Sequence, residues 1–190
     1  MSRERIEASL DALAEVARAS KSLSGKVAEV ASRYVKVLRG GGTLFFCGNG
    51  GSAADAQHLA AEYVVRFAAD RRALAAIALT TDTSVLTAAG NDLGFEQIFA
   101  RQIEALCRPD DLLILHSTSG QSPNLVAAAG AARKRKVPTV AFLGKGGGAL
   151  AGLVDHAVIV PSNETSLVQS IHLALEHVIV EWVENELTHA

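Results

Sequence analysis

The sequence predicts an α/β domain in which a parallel sheet is covered by helices on both faces. Three observations carry that expectation. Short apolar runs alternate with stretches of helical spacing from residue 43 onward. Those runs are apolar at consecutive positions, as in strands buried on both sides, not at every second one. Two of them pass directly into glycine-rich or hydroxyl-rich turns that open a helix, the punctuation of strand-to-helix units.

The elements follow in order. Residues 3–20 repeat Ile6, Leu10, Leu13 and Ala17 at helical spacing, and residues 25–39 do the same with Val27, Val30, Tyr34, Val37 and Leu38 before Gly40-Gly41-Gly42 ends the helix. Strand 43–47, helix 52–67, strand 74–79, a helical stretch across 83–107, strand 111–116, helix 122–135 and strands 138–143 and 156–160 come next. The segment GKGGGALAG (144–152) reads as a strand-to-helix loop. Residues 165–187 contain neither glycine nor proline and read as a buried helix. Together with the two N-terminal helices this segment offers more apolar surface than one small sheet can cover, which predicts a homo-oligomer built on helix packing. No linker divides the chain, so residues 1–190 form one domain, with 1–39 a helical extension on an α/β core.

Composition excludes several functions. The chain has 190 residues, 49% of them hydrophobic, and its 18 basic and 20 acidic residues leave a formal charge of −2. No basic field exists to attract nucleic acid or an anionic membrane, so an anionic ligand must be held locally. Aromatic residues make up only 5%, too few for base-stacking platforms. The N-terminus lacks a signal-peptide core and no stretch reaches membrane-spanning length, which predicts a cytoplasmic protein. In that compartment Cys47 and Cys107 are expected to be reduced core residues.

The loop Gly48-Asn49-Gly50-Gly51-Ser52 follows a strand and opens a helix, where backbone N–H groups and the helix end favour an anion. Ser52 is a candidate N-cap with Asp55 as its capping-box partner. Gly48-x-Gly50-x-x-Ala53 also meets the loose dinucleotide fingerprint, but the acidic residue it needs would be Asp82, nearer thirty residues on than twenty. No Walker A loop occurs. A second loop, Ser117-Thr118-Ser119-Gly120-Gln121-Ser122, runs from a strand into Pro123 at a helix start. Its four hydroxyls suit a terminal phosphate monoester, and two such loops at strand ends mark the ligand edge of an open α/β sheet. His58 and Glu62 lie four apart on the helix after the first loop. They read either as an exposed polar pair or as two ligands to one metal. On the last helix, spacing alone pairs His172 with Glu176, while Gln169 and His177 also share a face.

The set GNGGS, His-x-x-x-Glu, GND (90–92), STSGQS and QSIHLALEH (169–177) resembles the phosphoheptose isomerase family of the sugar isomerase (SIS) domain superfamily, over residues 5–187. The resemblance implies a three-layer α/β/α fold with a five-stranded parallel sheet, a homotetramer with active sites at subunit interfaces, and conversion of sedoheptulose 7-phosphate to D-glycero-D-manno-heptose 7-phosphate. It implies Glu62 as the base at carbon and His177 as its partner at oxygen. Asn49, Gly50, Gly51, Ser52, Asn91, Asp92 and Gln169 would contact the sugar, and Ser117, Thr118, Ser119 and Ser122 the phosphate. Zinc would be held by His58, Glu62, Gln169 and His177. His172 and Glu176 are left as structural or interface residues, and His116 as a strand-end histidine. A non-catalytic SIS protein that binds a replication initiator or senses sugar phosphates is the alternative; it would not need Glu62 and a histidine aimed at one sugar.

Overall fold

The computed structural model describes residues 2–188, so only Met1, His189 and Ala190 of the expected domain lie outside it. Helices α1 (Arg3–Ala19) and α2 (Ser24–Arg39) precede β1 (Leu44–Gly48), α3 (Gly51–Val64), β2 (Ala76–Ala78) and α4 (Thr83–Asp92). The chain continues through α5 (Ala100–Leu106), β3 (Leu112–Ser117), α6 (Pro123–Arg135), β4 (Thr139–Leu143), β5 (His156–Ile159) and α7 (Thr165–Thr188). The five strands form one parallel sheet in the order β2-β1-β3-β4-β5.

Alternation along the strands builds two cores. Leu44, Phe46, Leu112, Ile114, Val140 and Phe142 face α2, α3 and α7, whereas Phe45, Cys47, Leu113, Leu115, Ala141 and Leu143 face α5 and α6. Phe46 is fully buried, stacked on Tyr63 at 5.9 Å and edge-on to Tyr34 at 6.4 Å. Each such burial contributes roughly 1.5–3 kcal/mol. Cys47 and Cys107 are free and fully buried, and burial pushes the Cys107 thiol up to about 12. They are core residues, as expected.

Besides a β2 of three residues in place of 74–79 and an α3 that begins one residue early, the fold departs from the sequence reading at three places. The helical stretch 83–107 is broken into α4, a single 3-10 turn at Phe95–Gln97 and α5, because Gly94 turns the backbone to φ +93°. Helix α3 stops at Val64 instead of residue 67, since the N–H groups of Phe67, Ala68 and Ala69 are taken by the carboxylate of Glu184 on α7. Residues 144–152 lead to β5 through two 3-10 turns, not into an α-helix.

Strand order fixes the ligand edge. From β1 the chain moves outward to β2 on one side, and β3 pairs on the other, so the order reverses between β1 and β3. Gly48 stands opposite His116 in that pair, and the two loops therefore leave the sheet side by side at its carboxyl edge.

Candidate active site

The first loop departs from the expected cap. Gly50, not Ser52, is the N-cap of α3, with φ +55°, a conformation that costs glycine little. Ser52 is buried inside the first turn, where its N–H donates to the Asn49 carbonyl at 3.0 Å. Asp55 is accordingly no capping-box partner. It is buried toward α7, where its Oδ1 accepts a hydrogen bond from Gln169 Nε2 at 3.3 Å. Burial pushes the Asp55 carboxyl up, against the pull of that hydrogen bond. Gly51 lies flush against Gln169, whose amide oxygen a Cβ at that position would strike.

In the second loop the hydroxyl oxygens of Ser117 and Ser119 accept from the N–H groups of Gly120 and Gln121, at 3.0 and 3.2 Å. This leaves both hydroxyl hydrogens free to donate elsewhere. Ser122 is the N-cap of α6 by backbone position only; its side chain makes no capping bond, and Pro123 fills the first helical position. Thr118, Ser119 and Ser122 are half-buried, and Ser117 is buried. No lysine or arginine occurs between 117 and 122, so the loop offers an anion neutral donors and the amino end of a 13-residue helix. The two loops are joined by a pair of amide bonds: Asn49 Nδ2 donates to Asn124 Oδ1 and Asn124 Nδ2 to Asn49 Oδ1, each at 2.8 Å. Asn124, 99% buried, is a site residue that sequence reasoning missed, because no local pattern marks a helix asparagine whose partner lies 75 residues away.

Helices α3 and α7 run alongside each other, with Gln169 against Asp55 and His177 against His58. The His58 and His177 Nε2 atoms stand 2.9 Å apart, and His58 Nε2 is 3.4 Å from Glu62 Oε1. Phe67 stacks on His177 at 5.5 Å, so the imidazole lies between His58 and Phe67. The fold therefore brings His58, Glu62 and His177 together. Gln169 lies two turns earlier on α7, about 12 Å along the axis, and engages Asp55 and Gly51. Asn91 and Asp92 are exposed in the last turn of α4. Among the described residues their side chains hydrogen-bond to each other, at 2.7 Å. Asp82, the residue a dinucleotide site would need, instead caps α4 by accepting from the Val85 N–H at 3.0 Å.

Two imidazoles and a carboxylate are the donor types zinc takes, and converging Nε2 atoms suit it chemically. As they stand these groups engage one another. Among the described residues no group of three or more His, Cys, Asp or Glu side chains is arranged to hold a metal ion.

The remaining polar residues of α7 face the core. His172 and Glu176 are fully buried; Glu176 Oε1 accepts from Tyr34 at 3.0 Å and lies 3.1 Å from His116 Nε2. His116 sits between the rings of Phe46 and Phe142. These are structural residues.

The SIS domain family matches residues 9–144. A phosphoheptose isomerase of Roseiflexus sp. (strain RS-1) is 50% identical over 97% of this chain and 92% of its own length. Solved structures of phosphoheptose isomerases superpose closely. That from Neisseria gonorrhoeae has a TM-score of 0.92 at 37% identity, covering 96% of this chain and 98% of its own. That from Francisella tularensis has 0.94 at 33%, covering 97% and 99%.

Proposed function

Because the chain belongs to the phosphoheptose isomerase family of SIS-domain proteins, we propose that it converts sedoheptulose 7-phosphate to D-glycero-D-manno-heptose 7-phosphate, supplying bacterial heptose for surface polysaccharides. The observation that carries this reading is the meeting of Glu62 and His177 at His58, on two helices of which one begins at the glycine loop. The four hydroxyls of residues 117–122 and the α6 amino end take the phosphate, and Asn49 to Ser52, Asn91, Asp92 and Gln169 take the sugar hydroxyls. Glu62 removes a proton from C1 of the open-chain ketose, giving an enediol, and returns it at C2. His177 moves the hydroxyl proton between O1 and O2. His58, Glu62 and His177 have the donor types that would hold zinc, and Gln169 would join them only by leaving Asp55; bound zinc would supply Lewis acidity toward the carbonyl or enediolate oxygen.

The protein acts as a homotetramer in the cytoplasm, with sites completed at subunit interfaces. Supporting this are α1, which has no buried residue and exposes Ile6 and Leu10, and the exposed Val178 and Trp182 of α7. No helix among the described residues is long and apolar enough to cross a membrane.

Incubation with sedoheptulose 7-phosphate in deuterated water, followed by NMR, tests the assignment. The unaltered protein forms heptose phosphate and exchanges the carbon-bound proton. Glu62→Gln lowers the rate by roughly 10²- to 10⁴-fold while still binding the sugar phosphate. Full activity in that variant removes Glu62 from the mechanism, and binding without turnover by the unaltered protein favours the non-catalytic alternative.

A further inference from the structure

The segment after α3 is held by a buried ion pair that no local pattern in the sequence announces. Arg71 and Glu184 side chains are each 3% exposed and meet at 3.0 Å. Glu184 accepts the N–H groups of Phe67, Ala68 and Ala69, at 3.1, 2.8 and 2.7 Å, along with Arg71 Nε. Arg71 donates in turn to the carbonyls of Tyr63 at 2.9 Å and Glu62 at 2.6 Å, two of the carbonyls left open at the end of α3.

This arrangement does more than finish a helix. Its two outputs are the backbone of Glu62 and the ring of Phe67, and Phe67 lies on His177 at 5.5 Å with 28° between the planes. On α7, His177 and Glu184 are seven residues apart, two turns along one face, so one helix carries both the imidazole and the carboxylate that fixes its neighbour. We infer that Phe67, held by the Arg71–Glu184 pair, is a positioning residue that sets the His177 ring against Glu62 for proton transfer.

Removing the ring frees the imidazole to turn without removing any group that touches substrate. A small misplacement of this kind is felt mainly in the chemical step. Phe67 is partly exposed and outside the helix, so Phe67→Leu is chosen over variants that would leave a buried charge unpaired. The expected result is a kcat for sedoheptulose 7-phosphate at least tenfold lower, with KM within twofold. Phe67→Tyr keeps an aromatic face and restores most of the rate. In parallel, the through-space NMR cross-peak between the carbon-bound ring protons of His58 and His177, which reports their separation and not the ring current of residue 67, weakens in Phe67→Leu and returns in Phe67→Tyr.

The kinetic arm rests on the isomerase reading, whereas the cross-peak does not. If the unaltered protein fails to turn over the sugar phosphate, the isomerase reading falls, and the His58–His177 cross-peak still decides whether Phe67 holds the ring. If the unaltered protein turns over and Phe67→Leu matches it in kcat, or leaves the cross-peak at full strength, the positioning role is overturned and the clamp is only a helix cap.

Discussion

His172 is fully buried with neither ring nitrogen hydrogen-bonded to a side chain. Burial, reinforced by the neighbouring His116, holds it down at about 3, so it is neutral in the folded protein wherever the unfolded chain's histidine begins to charge. Below about pH 6.5 the unfolded state therefore binds the extra proton, and this residue costs about 1.4 kcal/mol of stability per pH unit until about pH 3. Denaturant titrations at a fixed protein concentration between pH 6.5 and 4.5 should show a shallower loss for His172→Leu by that amount; identical slopes would mean the ring is already charged or solvated. Spacing joins His172 to Glu176, but Glu176 goes instead to Tyr34 and His116, which lie 142 and 60 residues away. Pairs on one helix are legible from periodicity. Which of them the fold turns inward depends on partners that only tertiary packing supplies, and for that reason the resemblance, not the spacing, separated His177 from His172.

At the level of elements, the hydroxyl loop depends on the glycines of the next connection. Gly120 has φ +64° and its α-carbon faces the Gly147 carbonyl so closely that a side chain would collide with it, while the Gly120 carbonyl accepts from the Leu150 N–H at 3.0 Å. Gly120→Ala therefore costs roughly 1–2 kcal/mol from the backbone conformation alone, and the collision adds to it. Thermal unfolding should fall by several degrees and calorimetric affinity for inorganic phosphate should drop tenfold or more; an unchanged affinity would show that residues 117–122 keep their shape without the neighbouring loop. The strands and most helices were legible because apolar runs and glycine punctuation are local. The end of α3 was not, since it is dictated by Glu184 from the far end of the chain, and the start of α3 shifted by one residue because the turn needs a positive φ at Gly50.

For the whole molecule, the unburied α1 and the exposed Val178 and Trp182 are the surfaces that assembly should cover. Light scattering should give four chains for the unaltered protein at micromolar concentration, and Ile6→Glu with Leu10→Glu should lower the mass. A monomeric parent, or an unchanged mass in the double variant, would count against α1 as an interface. The parallel sheet and its helical cover were readable in outline, but the strand order that sets β1 beside β3 was not, because pairing across the sheet is a long-range choice. That pairing has a chemical corollary at the Asn49–Asn124 clasp, where each amide gives one hydrogen and receives one. Exchange of a single nitrogen for oxygen on either side would leave the volume almost untouched, yet it would set two lone-pair-bearing atoms face to face. The seam between the two halves of the sheet thus discriminates amide from acid, a distinction that shape alone could never enforce.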